Sequence, residues 1–392
     1  MWIIDRYLLR QFLQTYVICF CSLTGLYVIF DLFTNLEEFL RSAEKSGSLL
    51  ELMGSYYGYR SILFFDRTSG LLTLVAAMFT VTWIQRHNEM TALMAAGISG
   101  LRVIVPVIGA AVVIAGLSVA NRELVIPNFR EELSRKTTDL LGDRAQPLEP
   151  RYDNQTWIYV QGKSTYADEK RIHKPDFVLP GSLDFYGNRL KGAEAFYQPA
   201  DQNHPRGYLF QGVTVPADLD TQPSVPPEGD PIIITRHDAP GWLQPGECFV
   251  ASNLTFEELT GGQALRQFSS TAQLIRGVQN PSLDFGADVR VTIHSRIVHP
   301  LLDLTLLFLG LPLVLARESR NVFVAIGLCV AMVSVFMLVV LAFQHLGAIY
   351  LIEPALAAWA PLMIFVPVAV GLSEPLWESS RRKAPAQPAA AV

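Results

Sequence analysis

Six apolar segments, three on each side of one long polar stretch, constrain this chain more than any other feature. Residues 11–34, 62–85 and 101–120 come first, and 297–316, 322–344 and 355–373 follow the polar region. Each is close to the ~20 residues that an α-helix needs to cross the hydrocarbon core of a bilayer. Charged residues make up 17% of the 392, against about 25% in an ordinary soluble domain. The pattern predicts an α-helical membrane protein with six transmembrane helices in a 3+3 plan and one domain inserted between helices 3 and 4. That plan excludes most enzyme classes and points toward transport.

Basic residues near the spans set the expected orientation. Arg6 and Arg10 precede the first span, Arg86 and Arg102 flank the turn between the second and third, and Arg317 and Arg320 lie between the fourth and fifth. Arg381, Arg382 and Lys383 follow the sixth, whereas 346–353 has no Lys or Arg. By the positive-inside rule both termini are cytoplasmic and the polar domain lies outside. Arg41, Lys45, Arg60 and Arg67 run against the rule. Met1–Arg10 reads as an amphipathic lead into the first span, without the small-residue cleavage site of a removed signal peptide. Cys19, Cys21 and Cys329 fall inside spans, so Cys248 has no disulfide partner in the external domain.

The expected domains are 1–120 (helices 1–3), 121–296 (external), 297–375 (helices 4–6) and a disordered Ala/Pro-rich tail, 376–392. Residues 35–61 read as an external helical hairpin or interfacial segment. From Arg122 to Leu141 the pattern is helical and extends the third span. Then come short runs rich in Val, Ile, Tyr, Phe and Thr, parted by Gly, Pro, Asn and Asp: Thr156–Val160, Phe177–Leu179, Leu183–Tyr186, Ala193–Tyr197, Tyr208–Val215, Ile232–Thr235 and Cys248–Ala251. Such spacing predicts an all-β, jellyroll-like domain, with helical feet at Leu254–Glu258 and Ala264–Arg276.

Chemistry is scarce. Gly162-Lys163-Ser164 resembles the end of a phosphate-binding loop, but Trp157 stands where that motif needs its first Gly. Gly97-Ile98-Ser99-Gly100 matches the serine motif of rhomboid-type proteases in letters only. Ser99 sits at the rim beside Arg102, where a helix break and N-cap explain it, and His345 is expected at the opposite face. No Cys/His cluster has metal spacing, and no cofactor is expected.

Two features stand out. Residues 85–99 are rich in helix formers, with Glu89 near a helix N-terminus, where a carboxylate suits the macrodipole, and with Gly97 as a stop. Such a helix either caps the bundle or serves as a handle for a motor. In the fourth span His299 and Asp303 share one helix face, and ionisable groups there are costly. Either Asp303 pairs with Arg67 or His299 and locks helices, or the two form a polar wall in an outward-facing cavity.

Read together, these elements resemble the lipopolysaccharide-export permeases of the LptF/LptG type. The motifs that carry the resemblance are Asp5-Arg6-Tyr7, the segment from Asn88-Glu89 to Ala96-Gly97-Ile98-Ser99, and Val125-Ile126-Pro127. His294-Ser295-Arg296 with Pro300, Gly310-Leu311-Pro312-Leu313, and Pro354, Trp359 and Pro361 complete the set.

The resemblance implies a bacterial inner-membrane location and a heterodimer with a second permease of the family, whose first and fifth spans line a cavity. It implies a cytoplasmic LptB-like ATPase dimer, an LptC-like periplasmic bridge and lipopolysaccharide as cargo, with no nucleic acid. The coupling helix becomes 86–98, with Arg86, Glu89, Leu93 and Gly97 facing the ATPase. Candidates for lipid phosphates are Arg67, Arg130, Arg135 and Lys136. Asp31 stands where some relatives carry a basic residue. A lipid costs about 0.8 kcal/mol per buried CH₂ to withdraw from apolar surroundings, so extraction needs a replacement apolar path and external work. The alternatives are a membrane scaffold or assembly factor and a lipoprotein-release-type permease, whose domain follows its first span and which has four spans.

Overall fold

A computed structural model describes residues 2–98, 100–134, 147–166, 169–201, 204–225, 231–239, 241–260, 266–283, 285–315 and 322–381. Six helices among them are long and apolar enough to cross a membrane. They are span one (Trp2–Thr34), span two (Leu49–Arg86), span three (Gly100–Ala120), span four (Ala287–Leu315), span five (Val322–Ala348) and span six (Pro354–Arg381). Most run well beyond the apolar windows read from sequence. The extra turns are amphipathic, and hydropathy marks only the part of a helix that is greasy all round.

The chain divides into two compact units, each described by itself. The first comprises Met1–Thr34, Tyr57–Asn128 and Gly286–Val392. Its core draws on every span, through Phe12, Leu74, Val107, Leu306, Phe336 and Phe365. Span four packs against spans three, five and six, and Phe336 of span five meets Phe365 of span six at a ring distance of 4.7 Å. Span four is helical throughout, with Pro300 and Pro312 inside it. Span three passes into a π-helical turn at Asn121–Val125 and a 3₁₀ turn at Ile126–Phe129. The helical pattern read from Arg122 is present but rewound, and it continues in a short helix, Arg130–Ser134; residues 135–141 of that reading lie outside the described residues.

The second unit comprises Asn35–Tyr56 and Phe129–Phe285. The hairpin expected at 35–61 is a helix, Leu36–Ser46, ended by Gly47 in the left-handed region at φ 82°, with span two beginning at Leu49. Phe39 is its buried anchor, edge-on to Tyr56 at 5.4 Å.

Among the described residues the unit is built on one antiparallel sheet of seven strands, a half-barrel. The strands are β1 (Arg151–Tyr152), β2 (Tyr159–Tyr166), β3 (Arg171–Val178), β4 (Arg189–Gln198), β5 (Gly207–Val215), β6 (Ile233–Thr235) and β7 (Cys248–Ala251), in the order β1-β2-β3-β4-β5-β7-β6. Pro175 and Phe177 of β3 are buried with half-buried Asp176 between them, the alternation of a strand with one wetter face. Phe177 stands edge-on to Phe210 at 4.7 Å, within the range where such pairs add to burial.

Two strand readings are corrected, and one strand escapes the sequence pattern. Leu183–Tyr186 belongs to a 3₁₀ helix, Gly181–Tyr186, started by a turn in which Leu183 N–H donates to the Pro180 carbonyl at 2.8 Å. Thr156 and Trp157 lie in a turn, because the Asp153 side chain accepts from Gln155 N–H at 3.0 Å and Thr156 N–H at 3.4 Å. Side-chain capture of this kind competes with strand pairing. Strand β1 has two residues and follows Pro150, so no alternation was there to read. The phosphate-loop resemblance ends here also: Gly162 pairs with Pro175 and Ser164 with His173 in the β2–β3 ladder.

The helical feet are Phe256–Thr260 and Thr271–Gln279. The second opens with a capping box, Ser270 Oγ accepting from Gln273 N–H at 3.2 Å and Gln273 Oε1 from Ser270 N–H at 2.9 Å.

Candidate functional site

At one end of the bundle the first turn of span one, the last turn of span two and the start of span three close over a small apolar core of Leu8, Ile84, Met90 and Val103. Between spans two and three lies a short helix, Glu89–Ala95. Asn88 precedes it in the left-handed region at φ 60° and makes no side-chain cap. Met90 anchors the helix in the small core, and burying such a side chain is worth about 1.5–3 kcal/mol.

The helix ends in a Schellman motif. Gly97 takes φ +83°, Ile98 N–H donates to Leu93 O at 3.0 Å, and Gly97 N–H to Met94 O at 3.0 Å. Ile98 and Leu93 both pack on the small core, the apolar contact that accompanies this motif.

Polar contacts clamp the same end. Arg102 donates to Asp5 Oδ2 at 2.7 Å. The Tyr7 hydroxyl reaches both Glu89 oxygens, at 3.1 and 3.3 Å. What remains outward is Arg86, His87 and Asn88 before the helix and Thr91, Ala92, Met94, Ala95, Ala96 and Gly97 along it, all exposed. Mostly small side chains face out from the helix, then, and the fixing groups lie beneath. Of the four residues expected to face an ATPase, Arg86 and Gly97 are exposed, Glu89 is held by Tyr7, and Leu93 is half-buried against its own chain. Ser99 lies outside the described residues.

Farther along, spans two and three are joined by Arg122 Nε and Asp66 Oδ1 at 2.9 Å, with side chains only 13% and 12% exposed. Ser69 donates to Ser118 at 3.0 Å, and Asn121 Nδ2 to the Ile62 carbonyl at 3.0 Å. None of these pairs emerged from sequence reading, although Asp66 inside an apolar segment was a visible signal. Asp31 accepts from the Tyr57 hydroxyl at 3.1 Å. In span four His299 Nδ1 and Asp303 Oδ2 lie 3.1 Å apart, so of the two partners expected for Asp303 it takes His299. Arg67 is exposed.

In the other unit Arg130 is engaged by Glu257, while Arg135 and Lys136 lie outside the described residues. Glu258, half-buried there, has its carboxyl raised by desolvation, against the Thr255 hydrogen bonds that lower it. Burial pushes the Cys248 thiol well above the usual range, which suits inert packing. No group of His, Cys, Asp and Glu among the described residues could hold a metal ion.

Six spans, a short helix clamped between spans two and three, and a β domain between spans three and four define a multi-pass permease-like membrane protein. The family described as lipopolysaccharide export system permease LptF/LptG matches residues 6–175 and 209–374. The chain belongs to that family, and is a multi-pass inner-membrane protein and a non-catalytic permease subunit for lipopolysaccharide export. No individual curated protein matches it.

Proposed function

We propose that this chain is one of two permeases in a heterodimeric exporter driven by a separate LptB-like ATPase dimer. The short helix Glu89–Ala95 is the docking point, with both termini cytoplasmic and the β domain in the periplasm. Lipopolysaccharide leaves the membrane along an apolar wall of spans one and five and passes to the β domain, then to an LptC-like bridge. Exposed Leu13, Leu26, Phe30, Val335, Leu338 and Leu341 on those spans support the path. Arg67 and Arg130 remain candidates for lipid phosphates, and His299 with Asp303 for a polar element of the bundle.

The observation that carries this reading is the short helix itself. It is fixed from below by Met90, Tyr7 and a Schellman motif, yet presents small side chains outward, as suits a surface that receives push from another protein.

The test is a pull-down from mild detergent. The chain is expected to bring a second permease and an ATPase, and Glu89→Arg to lower ATPase recovery at least tenfold, roughly 1.4 kcal/mol, with the permease pair intact. Retention of the ATPase by Glu89→Arg would remove the docking assignment, and recovery of the chain alone would favour a scaffold. Cysteine labelling of 121–296 from the cytoplasmic side would overturn the orientation.

A further inference from the structure

The middle of the bundle is almost free of charge. Residues 11–30, 68–85, 103–121, 322–344 and 355–373 contain no Asp, Glu, Lys or Arg, and 297–316 contain one, Asp303. Roughly 18 Å of helical rise separates Asp303 from Leu315, which puts it deep within the ~30 Å hydrocarbon thickness. Its side chain is 14% exposed and that of His299 40%.

The surroundings are built around this carboxylate. A Cβ at Gly70 of span two would overlap it, so the absence of a side chain at that position is what makes room. The Tyr16 hydroxyl of span one is buried without a hydrogen-bond partner among the described residues, and its side chain lies in the same apolar core as Leu302 and Leu306, the helix neighbours of Asp303. Spans three, five and six, which pack on span four, bring no Asp, Glu, Lys or Arg to this depth. A turn outward, Asp66 is paired with Arg122, and Arg67 and Arg296 lie at the same outer level, with His345 near the end of span five.

We propose that Asp303 and His299, with the unpartnered Tyr16 hydroxyl in the core they border, form a one-proton binding site inside the membrane-spanning bundle. With one proton the pair is neutral overall, either as carboxylate and imidazolium or as carboxylic acid and imidazole. Without it the pair carries one negative charge, which an apolar interior disfavours strongly. Binding forms an O–H bond on Asp303 or an N–H bond on His299, and release returns the proton to water. Hydration stabilises the charged form, so release of the proton needs water at the pair. The Tyr16 hydroxyl makes no hydrogen bond to the pair in this structure, and donating to the deprotonated Asp303 carboxylate would satisfy it, which ties proton occupancy to the placement of span one. This site stands apart from the ATPase-driven export reading and needs neither partner.

The test uses the full chain in lipid nanodiscs and infrared difference spectra between acidic and alkaline samples. A pH-dependent carboxyl or imidazole signal is expected in the native chain, lost in Asp303→Asn and in His299→Gln, and displaced in Tyr16→Phe. Size-exclusion profiles matching the native chain establish that each variant is folded, and Tyr16→Phe keeps the shape of the site should Asp303→Asn misfold. An Asp303→Asn spectrum with all native pH-dependent signals, or a Tyr16→Phe spectrum without displacement while the protein stays folded, overturns the proposal.

Discussion

Asp153 and Asp303 are both carboxylates withdrawn from water, one in the sheet unit and one in the bundle, and their surroundings differ in kind. Asp153 is fully buried and accepts from Gln155 N–H, Thr156 N–H and the Ser252 hydroxyl, the last at 2.6 Å. Its acceptor capacity is largely used, and it does structural work by bending the chain ahead of β2 and tying it to Ser252. Asp303 has one hydrogen-bonding partner among the described residues, His299, and an unpartnered Tyr16 hydroxyl nearby. A saturated carboxylate holds a fold together, whereas an under-saturated one in a membrane span retains the capacity to exchange a proton.

The comparison is most severely tested by Asp153→Ala. Removing that acceptor strands the buried Ser252 hydroxyl and frees two part-buried N–H groups, and an unmade buried hydrogen bond costs about 1–3 kcal/mol. A loss of roughly 3 kcal/mol is expected in the sheet unit of the full chain, read as protease sensitivity between 147 and 283 with the spans intact. Gly70→Ala comes next: a methyl group forced against the Asp303 carboxylate should cost about 1–3 kcal/mol of bundle stability, measured by thermal unfolding in detergent. If Gly70→Ala unfolds like the native chain, the crowding around Asp303 is not real.

Asp303→Asn should cost less than about 1.5 kcal/mol, the usual limit for a volume-conserving change. The contrast with Asp153→Ala would vanish if both substitutions were equally disruptive. Tyr7→Phe removes one exposed hydrogen bond, worth about 0.5–1 kcal/mol, and should loosen the short helix without unfolding the chain. Faster amide exchange confined to 89–98 would show it.

The smallest expected effect belongs to Asp238 in the sheet unit. Hydrogen bonds from Ser224 N–H, first, and from His237 hold its carboxyl down to about 2. A depressed carboxyl stabilises the fold above its unfolded value, near 3.9, and that contribution disappears as pH falls toward 2. The side chain is 45% exposed, so the effect is under about 1 kcal/mol. Asp238→Asn should flatten the acid limb of stability slightly over that window.

Much of the architecture was legible because its signals are local. Hydropathy runs mark spans, since lipid demands a helix with all its backbone bonds satisfied internally, and short runs of β-branched and aromatic residues between turn formers mark strands such as β5 and β7. Gly97 was readable as a helix stop because a left-handed residue is cheapest as glycine. What escaped reading had no local signature. Leu183–Tyr186 has strand composition but starts from a turn set by Pro180. Asp66 and Arg122 lie far apart in the chain, and Glu89 gave no hint that its carboxylate is met by Tyr7.

By itself, then, the order of residues determined the six spans, the inserted β domain, the helix stop at Gly97 and the family, because each rests on neighbours along the chain. The tertiary structure alone decided that Asp303 takes His299 rather than Arg67, that Gly70 leaves it room, and that Met90 and Tyr7 fix the short helix. Those outcomes depend on which helix faces come together, and packing geometry is a property of several segments at once, which no single segment encodes.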